Sequence, residues 1–185
     1  MEKIAVWKSI DHPGMEYLSL EEYENRLLAR SVVIGVEEPR AFQVEYSVVC
    51  ERNYAVRAVM VAVTHRGHTL LSGDGQGSWF DREHKLLPEL DGCIDVDISA
   101  TPFTNTLPIR RIQWQVGQSE VFKMVYILVP DLTVSVDQQR YTCLEKTDHG
   151  ATFRYESLDS DFTADITVDS DGLVLNYPGL FERII

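Results

Sequence analysis

Asp95 and Asp97 stand two residues apart in Cys93-Ile94-Asp95-Val96-Asp97-Ile98, and Arg110 and Arg111 follow after a short connection. In an extended strand, residues i and i+2 share a face, so both carboxylates point one way and Ile94, Val96 and Ile98 the other. A helix that folds Arg110 and Arg111 back over that face brings guanidinium groups within bidentate reach of the carboxylates. Two readings of the cluster are open. One is a structural ion-pair network that holds the helix on the sheet. The other is a polar anchor for a ligand head group, with Trp79 or Trp114 supplying an apolar plane for a sugar ring.

Other groups with chemical potential resolve into simpler features. Gly73-Asp74-Gly75-Gln76-Gly77 has backbone N–H groups that could cradle a phosphate, but it lacks the P-loop spacing and a following helix. It reads as a hairpin loop. His65 and His68 straddle a turn with no third metal ligand at a suitable spacing, so they read as solvated loop residues. Asp169-x-Asp171-Gly172 departs from a calcium loop at Leu173 and at the twelfth position. No Ser or Cys lies in a motif that a base would activate. Cys50, Cys93 and Cys143 are too widely spaced for a zinc site and read as reduced, buried thiols. The expectation is a non-enzymatic protein with no metal and no cofactor.

The elements that must position Asp95 and Arg111 are mostly strands. Period-two alternation places Phe42, Val44, Tyr46, Val48 and Cys50 on one face of 42–50. It does the same for Leu132, Val134 and Val136 in 132–144, and for Phe162, Ala164, Ile166 and Val168 in 162–168. Residues 55–63 and 121–129 are apolar on both faces, which predicts strands covered on two sides by a helix, a second layer or a partner chain. Arg66-Gly67, Asp74-Gly75 and Asp171-Gly172 mark tight turns. One helix is predicted, capped by Asn105 or Thr106, with Pro108 in its first turn and an apolar stripe of Ile109, Ile112 and Val116. Arg110 and Trp114, four apart, share another face. No linker or repeat divides 1–185, so one mainly β domain is expected.

The chain has 185 residues, 17 basic and 29 acidic, for a net charge of −12. That balance argues against nucleic acid and anionic membranes as partners, because both demand clustered Lys and Arg. Half of the net charge falls in 145–171, where eight acidic residues face Lys146 and Arg154. An anionic head group is repelled there; a neutral sugar is not. The N-terminus has no signal-peptide core, and the longest apolar run, Met124 to Val129, is too short to span a bilayer. A cytoplasmic protein without stable membrane insertion is expected.

Longer motifs carry a resemblance. Leu90-Asp91-Gly92-Cys93-Ile94-Asp95-Val96-Asp97 and Thr101-Pro102-Phe103-Thr104-Asn105-Thr106-Leu107-Pro108-Ile109-Arg110-Arg111 resemble the central signature of the bacterial glycolipid-binding family. Arg154-Tyr155-Glu156-Ser157, Phe162-Thr163-Ala164-Asp165, Gly172-Leu173-Val174 and Tyr177-Pro178-Gly179-Leu180-Phe181 agree with its C-terminal part. The resemblance implies a spiral β-roll, a long antiparallel sheet wrapped around a single α-helix, assembled as a homodimer. It also implies a glycolipid or other amphipathic ligand, though shape alone does not assign function. It transfers no catalytic or ligand residues. A ligand-free dimeric interaction module is the alternative reading.

Overall fold

The computed structural model describes residues 2–37 and 39–185. Among these, fourteen strands form one sheet made of two meanders. The first comprises β1 (Glu2–Ser9), β2 (Gly14–Glu22), β3 (Arg26–Glu37), β4 (Arg40–Glu51), β5 (Val56–Val63), β6 (Gly67–Gly73) and β7 (Trp79–Phe80). Next come β8 (Asp95–Ile98), the helix α1 (Thr106–Arg111) and β9 (Ser119–Leu128). The second meander continues through β10 (Thr133–Thr147), β11 (Gly150–Ser157), β12 (Thr163–Asp169), β13 (Val174–Tyr177) and β14 (Phe181–Arg183). The meanders join where β1 pairs with β14, Trp7 opposite Arg183.

Every pairing is antiparallel except β8 with β9, which is parallel. A parallel pair cannot be closed by a tight hairpin and needs a crossover. Here the crossover carries a 3₁₀ turn (Phe103–Asn105) and α1. The mainly β sheet with one short helix therefore stands as expected, mixed by this single pair. It is not closed into a barrel; β7 and β8 are its two edges.

The sheet rolls so that β8 and β9 face the first meander. Trp7, Leu18, Val48, Val61 and Trp79 pack there against Val96, Ile98, Val125, Ile127 and Leu107 of α1. A second core lies on the other side of β9, where Phe122 and Met124 meet Ile109, Tyr141, Phe153, Ile166 and Tyr177. Met124 and Val125 point to opposite faces and both are fully buried, so the middle of β9 is covered twice. At the surface the Arg66 guanidinium lies 3.0 Å from Asp131 of the β9–β10 turn.

Four expectations need correction. In 132–144 the buried parity is Gln139, Tyr141 and Cys143, while Val134 is 37% exposed. The strand leaves the first core and enters the second, so its interior switches faces. In β5, Val59, Val61 and Val63 point inward, but Ala58, Met60 and Ala62 on the outer face are only half covered. The helix is six residues long and ends before Ile112, which adopts an extended backbone. Val116 lies outside it and is 63% exposed, so the predicted stripe does not form. Neither predicted cap operates: Asn105 is itself helical, because the 3₁₀ turn runs directly into α1, and no side chain caps the junction.

Candidate functional site

The parallel pairing of β8 places Asp95 opposite Met124 and Asp97 opposite Tyr126. Both carboxylates therefore face the second core, as period-two spacing requires, but they have different partners. Arg111, the last residue of α1, donates from Nε to both Asp95 oxygens at 3.0 and 3.1 Å and from a terminal nitrogen at 2.8 Å. Asp95 is fully buried, and burial pushes its carboxyl up more strongly than the guanidinium holds it down. Asp97 meets no arginine. Its two oxygens accept from Thr104 Oγ1 at 2.8 Å and Gln139 Nε2 at 2.6 Å. The same Gln139 nitrogen reaches Asp137 at 2.8 Å, and Tyr141 donates to Gln139 and to Asn105.

Arg110 turns the other way. Its guanidinium lies over the Tyr54 ring at 5.5 Å and donates to the Ser170 carbonyl at 3.3 Å. With Trp114 it lines a cleft of about 240 Å³ beneath the β10–β11 and β12–β13 turns. Trp114 donates from its indole to the Ile109 carbonyl and packs edge-on against Phe122 and Phe153. Trp79 is sealed in the first core with its indole N–H on the Cys93 carbonyl at 2.6 Å. The predicted cluster thus separates into an ion pair (Asp95, Arg111), a cleft wall (Arg110, Trp114), a core residue (Trp79) and Asp97.

Asp97 lines a different cleft of about 240 Å³, with Ser99, Thr101, Tyr126, Tyr155, Phe162, Tyr177 and Phe181 among its walls. The Tyr155, Phe162 and Tyr177 rings pack around one another with centroids 5.9–6.1 Å apart. Tyr155 meets Phe162 and Tyr177 edge-on and the Phe162–Tyr177 pair is tilted, contacts that stabilise the aromatic cluster. Tyr155 and Tyr177 are more than nine-tenths buried, yet neither hydroxyl has a partner among the described residues, and both open into the cleft. Burial and the nearby carboxylates push both phenols far up, so they remain protonated donors. No lysine, arginine or histidine is among the cleft residues.

The Ser99–Thr101 turn is the wall of this cleft, and a second pocket of about 420 Å³ lies behind it. Pro13, Val36, Phe42, Ala100 and Val129 line that pocket together with Asp11 and His12; Ser99 borders both spaces. The turn is tied from beneath by Glu16 of β2. One Glu16 oxygen accepts from Tyr46 at 2.5 Å, Ser31 at 2.8 Å and Thr101 at 2.9 Å. The other oxygen is buried with no partner among the described residues. Burial raises this carboxyl from about 4.5 to about 7, against the pull of its three donors.

The remaining motifs are structural. Asp74 fills its own glycine loop, its carboxylate accepting from the Gln76 and Ser78 N–H groups at 2.7 and 3.0 Å. His65 and His68 are exposed, and among the described residues no group of three His, Cys, Asp or Glu is placed to hold a metal. The three cysteines are buried and unpaired, and burial pushes Cys93 up to about 11. Glu16, Gln139, Tyr126, Tyr155 and Tyr177 were not singled out by sequence reasoning as functional. For Tyr155 and Tyr177 a signal existed, since both lie in the C-terminal motifs that carry the family resemblance.

The fold is an open rolled sheet with an aromatic cleft that contains Asp97 and a larger pocket of mixed lining beside it. A family model described as putative glycolipid-binding matches residues 4–183, and the chain belongs to that family. A crystal structure at 1.80 Å of a DUF1089 family protein from Pseudomonas aeruginosa is similar. It shares 34% identity over 91% of this chain and 92% of that one, with a TM-score of 0.81. No curated protein matches the chain.

Proposed function

We propose that the protein is a non-enzymatic binder of an amphipathic ligand of the glycolipid kind. The observation that carries this reading is the Ser99–Thr101 turn, which borders a cleft of tyrosines with Asp97 and Asn105 and also a larger pocket lined by Pro13, Val36, Phe42, Ala100 and Val129 with Asp11 and His12. A head group in the first space and a hydrocarbon segment in the second would meet at Ser99. The first core is filled by side chains such as Trp7, Leu18 and Trp79, so the ligand sits at the margin of the roll. Three unpaired, buried thiols suit a reducing cytoplasm as its compartment.

Native mass spectrometry of protein purified from cells tests this reading, together with melting curves in a panel of single-chain lipids. A lipid held at a hundredfold excess over its Kd should stabilise by about 2.7 kcal/mol, or roughly 5–10 °C for a chain of this size. Absence of any co-purified lipid, with no shift across the panel, would refute it.

A second reading, the homodimer, is favoured by the outer face of β2 and β3. Met15 opposes Ile34 and Tyr17 opposes Val32, all four exposed. A contiguous apolar patch of this kind is where a second copy would seat. Light scattering at micromolar concentration decides it: a dimer that Ile34→Glu dissociates supports the reading, and a monomer overturns it.

A further inference from the structure

We infer that the cleft beside Asp97 takes one uncharged sugar ring, stacked on the Tyr155–Phe162–Tyr177 surface with its hydroxyls bonded to Asp97, Tyr155 and Tyr177. This rests on the amphipathic-ligand reading and names the head group of that same site. Three observations carry it. The first is the pair of unpartnered tyrosine hydroxyls: each belongs to a side chain more than nine-tenths buried, and each opens into the cleft. Water reaches these hydroxyls in the open cleft, and a ring of hydroxyls that displaces it restores their hydrogen bonds while an alkyl surface does not.

The second is charge. The cleft contains Asp97 and no cationic residue, with Asp137 linked behind it through Gln139. The nearest guanidinium of the original cluster, Arg111, is occupied by Asp95. A phosphate or sulfate head group would enter beside a carboxyl with nothing to neutralise it. Each Asp97 oxygen accepts one hydrogen bond and keeps a lone pair for a further donor, so hydroxyls can bond there, and octylamine is the competitor that the test must separate from them.

The third is size. At about 240 Å³ the cleft falls below the usual range of roughly 300–1,000 Å³ for pockets that hold drug-sized ligands, so it suits one ring and not two. The larger pocket across Ser99, at about 420 Å³, receives the chain against Val36, Phe42, Ala100 and Val129.

Four probes with the same chain distinguish the outcomes: octyl β-glucoside, 1-octanol, octyl phosphate and octylamine, titrated calorimetrically below their aggregation limits. The expected order places octyl glucoside at least tenfold tighter than the other three. Tyr155→Phe and Tyr177→Phe keep the rings and remove hydroxyls that no protein group uses, so both should fold. Each should weaken octyl glucoside about three- to tenfold, the scale of one hydrogen bond, and leave 1-octanol unchanged. If 1-octanol matches octyl glucoside, the sugar assignment fails and the amphipathic reading stands. Tighter binding of octyl phosphate or octylamine overturns the uncharged head group. If no probe binds, both readings fall together.

Discussion

Arg111 closes on both oxygens of Asp95 through two of its nitrogens, while Arg110, one residue earlier, faces the Tyr54 ring and the Ser170 carbonyl. Adjacent arginines at the end of one helix thus have unrelated tasks. Arg111 spans the helix and the edge strand β8 and neutralises a carboxylate that the second core encloses. Removing it leaves Asp95 buried without its ion-pair partner, so the carboxyl must either hold an unpaired charge or take up a proton. Arg111→Ala should cost about 3–5 kcal/mol in urea denaturation, and Arg110→Ala about 1 kcal/mol or less. Replacing both partners by apolar groups, Asp95→Leu with Arg111→Met, should recover most of the loss, since the burial penalty then disappears.

Glu16 makes stability depend on pH. Its folded-state pKa of about 7 lies above the ordinary value of 4.5, so the folded protein holds this proton more tightly than the unfolded chain does. The associated stability is fully present below about 4.5 and is lost as pH rises through 7. At about 1.4 kcal/mol per pKa unit, the loss is on the order of 3 kcal/mol. Comparing denaturation midpoints at several pH values for the parent and Glu16→Gln isolates this contribution. The variant should show a flatter profile between pH 5 and 8; an unchanged slope would assign the effect to other groups.

Gly150 occupies the β10–β11 turn with φ of +155°, and a Cβ there would lie 2.0 Å from the Val168 carbonyl oxygen. That oxygen belongs to the neighbouring strand backbone and cannot rotate away. Gly150→Ala should therefore force β11 from β12 and cost about 2–5 kcal/mol. Gly67 has a comparable positive φ with nothing within 4 Å of an added Cβ, so Gly67→Ala provides the control for conformational strain without overlap.

The thiols should be silent in the folded state. Cys50, Cys93 and Cys143 are each at most 2% exposed, and burial disfavours the thiolate that does the reacting. A disulfide reagent at pH 8 should label none of them on the timescale of minutes and all three after denaturation. Rapid labelling of one cysteine would reveal local opening at that strand.

Much of this architecture is legible in the residues themselves. Strands that keep one wet face, such as 42–50, announce their inward side by simple alternation. Asp95 and Arg111 could be paired because strand and helix lie close in sequence. The same locality misled elsewhere. Asp97 was matched to the nearest arginines, yet its donor Gln139 lies 42 residues away and is brought in by the β9–β10 pairing. The predicted helix was too long because Ile109, Ile112 and Val116 repeat at helical spacing while Ile112 is already extended. Trp79 looked available to a ligand, but a short edge strand places it under the roll. The tyrosine cleft draws on β9, β11, β13 and the loops between them, and no single segment carries that pattern.

The junction of β1 with β14 has a consequence for how the molecule is made. Trp7 and Arg183 are neighbours in the centre of the sheet, although 176 positions separate them in the chain. On a ribosome the first meander can pair internally from β2 onward, but the free side of β1 stays open until the last few strands have emerged. An unpaired strand edge is a template for wrong partners, so the nascent chain is most vulnerable at what will become its middle. A circular permutant that links the two ends and opens the chain at the exposed Gly67 turn would synthesise β14 and β1 together and shorten that interval.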